Sequence, residues 1–164
     1  MRYAALRSLD ISNGEGIGAS LFVQGCSIRC PGCFQPQTWD FNGGKSYTQE
    51  TKEKILELVK PPHIERFSIL GGEPLEEQNW FELACLINSI KQIRPDIKIW
   101  VYSGYEAEDL LIKSWRSTYL KYILDNIDVL VAGPFIQEEQ DLSLPWCGSR
   151  NQKIVVMKEG SLDC

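Results

Sequence analysis

Three features of the 164-residue chain predict an α/β fold with a mostly parallel sheet. Short runs rich in β-branched and aromatic residues alternate with longer amphipathic stretches, as in strands joined by helical crossovers. Most of the strand candidates are apolar throughout, which is typical of strands buried on both faces. The length suits one domain but falls short of the ~250 residues of a complete eight-stranded barrel. We therefore expect one domain over residues 1–164, with an open sheet or a partial β/α barrel.

The strand candidates are short and evenly distributed. They lie at residues 19–24, 66–70, 98–103, 128–132 and 153–157, and a further strand is predicted within 3–11. Because helical stretches separate most of them, we expect parallel pairing with right-handed crossovers. In sheets of this kind, ligands bind at the carboxyl ends of the strands. Functional residues are therefore expected just after strands.

Helices are predicted between the strands from apolar spacing and from capping residues. The clearest one follows Asn79, which we expect to cap it, with Glu82 at the reciprocal capping position. Pro95 follows its end. The other helices are predicted over residues 48–60, 106–115 and 118–126.

Composition and charge exclude several classes of function. Seventeen basic and 22 acidic residues give a formal net charge of −5, which supplies no field to neutralise phosphates, so no nucleic-acid partner is expected. The longest apolar runs are about a strand long, far below the ~20 residues of a membrane span. The first residues lack the apolar core of a signal peptide. We expect a cytoplasmic protein whose thiols are free or bound to metal.

Three of the six cysteines crowd into one segment just after the strand at residues 19–24. Cys26, Cys30 and Cys33 are separated by a stretch that contains Pro31 and Gly32, which favour an irregular loop over a helix. The three sulfurs can therefore converge on one centre, and convergent thiolates bind soft metals. A [4Fe-4S] cluster usually takes four cysteines, so three would leave one iron open to another ligand.

A zinc site is the alternative that this spacing leaves open. It would use the same cysteines with Cys85, Cys147 or His63 as a fourth ligand. Structural zinc sites usually bring their ligands in two short pairs, so the spacing favours an iron–sulfur cluster. Incidental buried thiols are a weaker reading. We expect Cys85 in the core and Cys147 as an ordinary buried cysteine, while Cys164 at the terminus is uninformative.

A second motif, Gly71-Gly72-Glu73-Pro74, follows the strand at residues 66–70. Two glycines at a strand end let the backbone turn sharply and approach a ligand without a Cβ in the way. Alone, such a pair is more often a plain turn, and Glu73 a solvated acid or a helix-start residue. Its place at the same sheet edge as the cysteines favours a functional site.

Together, the two motifs resemble the signatures of the radical S-adenosylmethionine (SAM) superfamily, a C-x3-C-x2-C loop after the first barrel strand and Gly-Gly-Glu-Pro after the second. The resemblance implies a compact, partial (open) β/α barrel of the radical SAM type. It also implies a [4Fe-4S] cluster held by Cys26, Cys30 and Cys33, with SAM chelating the open iron through its amino and carboxylate groups.

The same resemblance implies which residues contact SAM. The backbone of Gly71, Gly72, Glu73 and Pro74 would receive the methionine amino end. Gly32, Cys33 and Phe34 would line SAM through their backbones, with Phe34 near the adenine. Ser103 stands where the family commonly has a threonine and is a further candidate, although an ordinary strand-end hydroxyl explains it equally well. No catalytic side chain is implied beyond the cluster and SAM.

Within the superfamily, the chain is similar to the activating proteins of anaerobic ribonucleoside-triphosphate reductase over most of its length. The resemblance implies that a reduced cluster cleaves SAM and that the 5′-deoxyadenosyl radical takes a hydrogen atom from a glycine of the reductase. The implied partners are the large reductase subunit and a one-electron donor such as flavodoxin or ferredoxin. The matching segments are residues 10–16, 21–26, 30–34, 38–39, 102–105, 133–135 and 148–152.

Two positions depart from the family's pattern. Ala132 stands where an aspartate is usual, and Cys147 stands where an arginine commonly precedes the Gly-Ser-x-x-Asn-Gln-like run. Both fall near expected partner contacts, so they leave the identity of the target open. The alternatives are a radical SAM enzyme with another protein, peptide or small-molecule substrate, and a non-catalytic zinc or iron–sulfur binding module.

Overall fold

The computed structural model describes residues 1–157, and Cys164 lies outside them. Seven strands form one sheet in this part of the chain. They are β1 (Arg2–Asp10), β2 (Gly18–Gln24), β3 (Lys45–Ser46), β4 (Arg66–Gly71), β5 (Lys98–Ser103), β6 (Val129–Ala132) and β7 (Lys153–Val156). The α-helices are α1 (Gln49–Val59), α2 (Trp80–Ile93), α3 (Ala107–Ser114) and α4 (Thr118–Asn126). Short 3-10 turns occur at Pro36–Thr38, Glu77–Asn79 and Gln137–Glu139.

The strand order is β3-β1-β2-β4-β5-β6-β7, which confirms the α/β prediction. The four central strands, β2, β4, β5 and β6, pair in parallel, and helices connect each to the next. Parallel pairing does not extend to the flanks, where β1 pairs antiparallel with β2 and β3, and β7 pairs antiparallel with β6. The reason is the connection, because β7 follows β6 through a segment without an α-helix.

The helices begin and end close to the predicted residues, but the predicted N-terminal cap of α2 is wrong. A 3-10 turn leads into this helix, so Asn79 already has helical backbone angles and makes no capping bond. Its side-chain amide instead donates to the carbonyl oxygens of Glu73 and Pro74, both at 3.4 Å. Glu82 pairs with the amino group of Met1 at 2.5 Å. Neither residue of the expected capping box therefore caps α2: Asn79 contacts the preceding turn, and Glu82 pairs with the chain's amino terminus.

The main core lies between the sheet and the helices. Alternate residues of each central strand point to this layer, as the period of a strand requires. Within residues 1–157, none of the helices has both the length and the apolar character needed to cross a membrane. Fully buried members of the core include Leu21, Val23, Ile55, Phe67, Ile69, Leu83, Ile87, Val101, Leu120 and Ile123.

The other face of the sheet carries a buried ionic network. Arg66 on β4 is fully buried, and its guanidinium donates to the carbonyl oxygen of Asp10 at 2.6 Å and to Ser68 Oγ at 2.5 Å. The Asp10 carboxylate lies 4.0 Å from the same guanidinium and accepts from Ser20 Oγ and from Asn13 Nδ2, each at 2.5 Å. These contacts connect β1 and β4 across β2.

Candidate active site at the carboxyl edge of the sheet

A cavity of about 410 Å³ opens at the carboxyl ends of the parallel strands. Each of the four central strands contributes to it through the residues at or just after its end. Cys26 follows β2, Gly72 follows β4, Ser103 ends β5 and Gly133 follows β6. This is the edge at which the fold class predicts ligand binding.

All three clustered cysteines line this cavity as free thiols. The segment that carries them, residues 25–34, is the cysteine loop. Arg29 and Gly32 have positive φ angles of 50° and 76°, which reverse the chain between the cysteines. The loop therefore brings Cys26, Cys30 and Cys33 to one cavity instead of spacing them along a helix.

The thiols are surrounded by backbone amides. Burial raises the pKa of Cys26 and of Cys30, and amide donors act in the opposite direction. For Cys30, the Phe135 amide is the largest of these opposing effects on the pKa. Separately, the Gln35 amide donates a hydrogen bond to Cys33 Sγ at 3.4 Å. A buried thiol loses its proton when a metal binds, and amides directed at sulfur are typical of cluster thiolates. The donor set fits an iron–sulfur cluster.

Of the three candidate fourth ligands for zinc, Cys147 lines the cavity and the other two lie outside it. Among residues 1–157, no three His, Cys, Asp or Glu side chains stand together in an arrangement that could hold one metal ion. His63 lies in the exposed turn before β4, at the opposite end of that strand, and Cys85 lies on α2 outside the cavity lining. A four-iron cluster is compatible with more widely spaced sulfurs, because each thiolate binds a different iron.

The Gly-Gly-Glu-Pro turn is hydrogen-bonded directly to the start of the cysteine loop. Gly72 N donates to Val23 O and Glu73 N donates to Gly25 O, both at 2.9 Å. Gly71 has a φ of 104°, and a Cβ on Gly72 would collide with the carbonyl oxygen of Gly25. Only glycine permits this approach of two backbones. The two sequence motifs thus form one structural unit.

The Glu73 side chain is buried at the edge of the cavity and connects β4 to β5. Its carboxylate accepts from Leu75 N at 2.9 Å, Ser103 Oγ at 2.8 Å and Gly104 N at 2.7 Å. Burial raises the pKa of Glu73 to about 7, against the effect of these donors. The alternative interpretations of Glu73, as a solvated acid or as a residue that starts a helix, are therefore wrong, because the carboxyl is buried and bonded to the end of β5. Ser103 reaches the cavity, but its hydroxyl hydrogen is used by Glu73.

The other predicted SAM contacts divide into two groups. Phe34 lines the cavity, is 58% exposed, and packs its ring 4.9 Å from that of Phe135. Gly71, Gly72, Glu73 and Cys33 also line it. Gly32 and Pro74 do not belong to the lining. They lie next to lining residues in the two motifs.

Glu76 is a residue of this site that sequence reasoning missed. Its carboxylate accepts from Ser27 N at 2.7 Å and from Ser27 Oγ at 2.6 Å, which fixes the first turn of the cysteine loop. Tyr105 OH also reaches Glu76, at 3.5 Å. The signal was weak, since Glu76 is one acid among several after the Gly-Gly-Glu-Pro motif, and Ser27 lies 49 residues away in sequence.

One wall of the cavity is aromatic. Trp146 has a positive φ of 58° and packs edge-on against Trp100, with ring centroids 5.0 Å apart. The Tyr102 hydroxyl is buried and has no hydrogen-bond partner in the described residues. Cys147 lines the same cavity and is only partly buried, so the prediction of an ordinary buried cysteine is wrong there; this partial burial raises its pKa. The prediction that Cys85 lies in the core is wrong, because it is only partly buried on α2.

Comparison with known proteins agrees with this geometry. A family model described as a 4Fe-4S single cluster domain matches residues 12–155. The anaerobic ribonucleoside-triphosphate reductase-activating protein of Salmonella typhimurium is 37% identical over 156 residues, which cover 94% of this chain and 97% of the relative. The protein of the same name from Vibrio cholerae is 38% identical with the same coverage. The one from Enterobacteria phage T4 is 31% identical over 94% of this chain and 93% of the relative.

Proposed function

The chain belongs to the family of anaerobic ribonucleoside-triphosphate reductase-activating proteins, and from this membership we propose that it generates a glycyl radical on such a reductase. The observation that carries the proposal is the meeting of two motifs at one cavity. Three free thiols and the Gly71-Gly72 turn line this cavity together. The backbone of the Gly-Gly-Glu-Pro turn is hydrogen-bonded to the chain just before the first of these cysteines.

Cys26, Cys30 and Cys33 are the proposed ligands of a [4Fe-4S] cluster. Their convergence on the cavity and the amide that donates to Cys33 support this assignment. With three cysteine ligands, one iron stays open to a substrate. The open iron would take the amino and carboxylate groups of SAM.

SAM is proposed to occupy the rest of the cavity. Its volume of about 410 Å³ lies within the range of small-molecule sites. The backbone of Gly71 and Gly72, which lines the cavity, suits the methionine end, and the Phe34 ring suits the adenine. When bound, the reduced cluster supplies one electron that breaks the S–C5′ bond of SAM, yielding methionine and a 5′-deoxyadenosyl radical. The protein's part is to orient SAM, exclude water and admit one C–H bond.

The fold leaves room for a protein substrate at this edge. In the described residues, the hydrogen bonding of the sheet runs from edge strand β3 to edge strand β7. We infer a single domain with a partial β/α barrel of the radical SAM type, whose open side would admit the glycine loop of the large reductase subunit. A one-electron donor such as flavodoxin or ferredoxin would reduce the cluster.

The test is anaerobic reconstitution with iron and sulfide, followed by reduction and measurement of 5′-deoxyadenosine formed from SAM. The unsubstituted protein is expected to form product only when its cluster is reduced. Cys30→Ala is expected to lower the rate by at least about 100-fold, because a cluster ligand is lost. Cys85→Ala is the matched control and should retain the rate. Unchanged SAM cleavage by Cys30→Ala would refute the ligand assignment.

A further inference from the structure

The cysteine loop contains a hydrogen-bonded turn whose first and last residues are both cysteines. Cys33 N donates to Cys30 O at 3.1 Å across Pro31 and Gly32. Gly32 has a positive φ of 76°, as the third position of a type II turn requires, and proline is favoured at the second position. We name residues 30–33 the Cys-Pro-Gly-Cys turn.

The geometry of this turn matches the span of a disulfide. The first and last Cα atoms of a β-turn lie less than about 7 Å apart. The Cα atoms that a disulfide joins usually lie about 4.4–6.8 Å apart. The backbones of Cys30 and Cys33 are therefore within reach of a disulfide in the thiol form of the protein. Because the backbone hydrogen bond already closes the chain between them, forming the S–S bond costs little further chain entropy.

The other described cysteines are placed less favourably for such a reaction. Cys30 and Cys33 are both partly exposed, whereas Cys26 is buried. In the described residues, no backbone hydrogen bond joins Cys26 to Cys30. Cys85 lies on α2 outside the cavity lining, and Cys147 belongs to a distant segment of the chain. Cys30 and Cys33 are thus the pair best placed to react with a small disulfide reagent and then with each other.

A neighbouring loop holds the Cys-Pro-Gly-Cys turn in this shape. A Cβ on Gly32 would lie 2.8 Å from the side-chain amide carbon of Gln137, so Gln137 packs directly on the turn. The segment that leads to Gln137 is itself fixed, since Gln152 Nε2 donates to Gly133 O at 3.0 Å. The turn is therefore supported by the rest of the fold as well as by its own hydrogen bond.

We propose that Cys30 and Cys33 form an intramolecular disulfide when the protein holds no cluster, and that this disulfide blocks cluster assembly until a dithiol reduces it. A disulfide oxidant first forms a mixed disulfide with one of the two cysteines, and the thiolate of the other displaces it. The two cysteines together lose two protons and two electrons, and the oxidant takes them up as two thiols. The effect on the cluster rests on the proposed function, because Cys30 and Cys33 are two of its three proposed ligands.

Such a disulfide would protect the cluster ligands of an oxygen-sensitive protein. Free thiols that stay exposed to oxidants proceed to sulfinic and sulfonic acids, which are irreversible in most proteins. A disulfide between the two more accessible thiols is reversible by thiol–disulfide exchange. The turn would thus admit a cluster only under reducing conditions, which are the conditions that the proposed chemistry needs.

The test is oxidation of the metal-free chain with excess glutathione disulfide, followed by mass spectrometry of the intact protein and of its peptides. The oxidised protein is expected to be lighter by two hydrogen atoms, with Cys30 linked to Cys33. Cys33→Ser is expected to stop at the mixed disulfide between glutathione and Cys30. Cys85→Ser is the matched control, because it leaves the turn unchanged, and it should form the same link as the unsubstituted protein.

Cluster uptake is then measured by anaerobic incubation of the oxidised protein with iron and sulfide. Iron analysis and electron paramagnetic resonance (EPR) of the reduced cluster give the cluster content, and mass spectrometry afterwards checks that the link has persisted. The linked protein is expected to hold at least about 10-fold less cluster than the same protein treated with dithiothreitol, because two ligands are blocked.

Three results would overturn the inference while leaving the proposed function intact. They are the retention of both thiols in excess glutathione disulfide, a link from Cys30 to Cys26 or Cys147, and full cluster uptake by protein whose link has persisted. Failure of the dithiothreitol-treated protein to hold a cluster would instead overturn the proposed function, whatever the state of the turn.

Discussion

At the residue scale, Glu73 shows how a motif residue can act through the hydrogen bonds of a buried carboxyl. Three donors hold its buried carboxyl between the ends of β4 and β5. Burial destabilises the charged carboxylate more than the three hydrogen bonds stabilise it, so the pKa of Glu73 rises to about 7. The side chain orders the turn whose backbone faces the cavity.

This raised pKa predicts a pH dependence of stability. The folded protein keeps the Glu73 proton up to about pH 7, whereas the unfolded chain releases it near 4.5. The contribution of protonated Glu73 to the free energy of unfolding is therefore complete below about pH 4.5. It is lost as the pH rises through 7, which lowers the free energy of unfolding by about 3 kcal/mol. Glu73→Gln is expected to flatten the change of unfolding free energy between pH 5 and pH 8. Urea titrations of the metal-free, reduced protein measure it.

Glu77→Gln is the matched control, because this neighbouring carboxylate is exposed. The Glu77→Gln protein should show the same change of unfolding free energy with pH as the unsubstituted protein. A Glu73→Gln slope equal to that of the unsubstituted protein would show that Glu73 does not titrate in this range.

The residues that sequence alone could assign are those in compact motifs. Cys26, Cys30 and Cys33 lie within eight positions, so their convergence is a local property of one loop. Glu76 and Gln152 escaped prediction because the groups that they bind lie 49 and 19 residues away. No local pattern distinguishes such a glutamate or glutamine from one facing solvent.

At the scale of elements, a buried polar network connects β1 and β4 on the sheet face opposite the main core. The Arg66 side chain of β4 is fully buried, and its guanidinium donates to the carbonyl oxygen of Asp10 at the end of β1. Burial lowers the pKa of Arg66, but the nearby Asp10 carboxylate acts in the opposite direction. Such a pair is costly to break because the remaining charge is left buried and alone.

Arg66→Ala is therefore expected to lower the free energy of unfolding by about 3–5 kcal/mol. Lys121→Ala supplies the comparison, since Lys121 forms an exposed ion pair with Asp125 on α4. We expect less than about 1 kcal/mol from that change. Chemical denaturation of the two variants measures both values. An Arg66→Ala protein no less stable than Lys121→Ala would contradict the structural role of the network.

Sequence predicts the interior elements of this fold better than its edges. The strand over residues 98–103 and the helix over 118–126 have the predicted bounds, because apolar spacing and flanking residues agree there. The two-residue strand β3 escaped prediction, since it depends on its partner strand β1 and carries no apolar pattern. The cap expected at Asn79 failed because a 3-10 turn precedes α2 and gives Asn79 helical backbone angles, so its side-chain oxygen makes no capping bond.

At the scale of the whole molecule, the helix-covered face and the carboxyl edge of the sheet have different tasks. Within residues 1–157, helices α1 to α4 and the main core cover one face and hold the parallel strands in register. The strand ends and their loops bring the cysteine loop, the Gly-Gly-Glu-Pro turn and the aromatic wall to one cavity. This arrangement is what the proposed chemistry needs, because a radical must be formed beside the hydrogen atom that it removes.

The central claim is tested most directly by the appearance of a glycyl radical on an anaerobic ribonucleoside-triphosphate reductase. The reconstituted protein is reduced, mixed with SAM and the reductase, and followed by EPR together with 5′-deoxyadenosine formation. We expect a glycyl radical signal on the reductase and about one 5′-deoxyadenosine per radical, with neither product from Cys30→Ala. SAM cleavage by the intact cluster without a radical on the reductase would contradict the account.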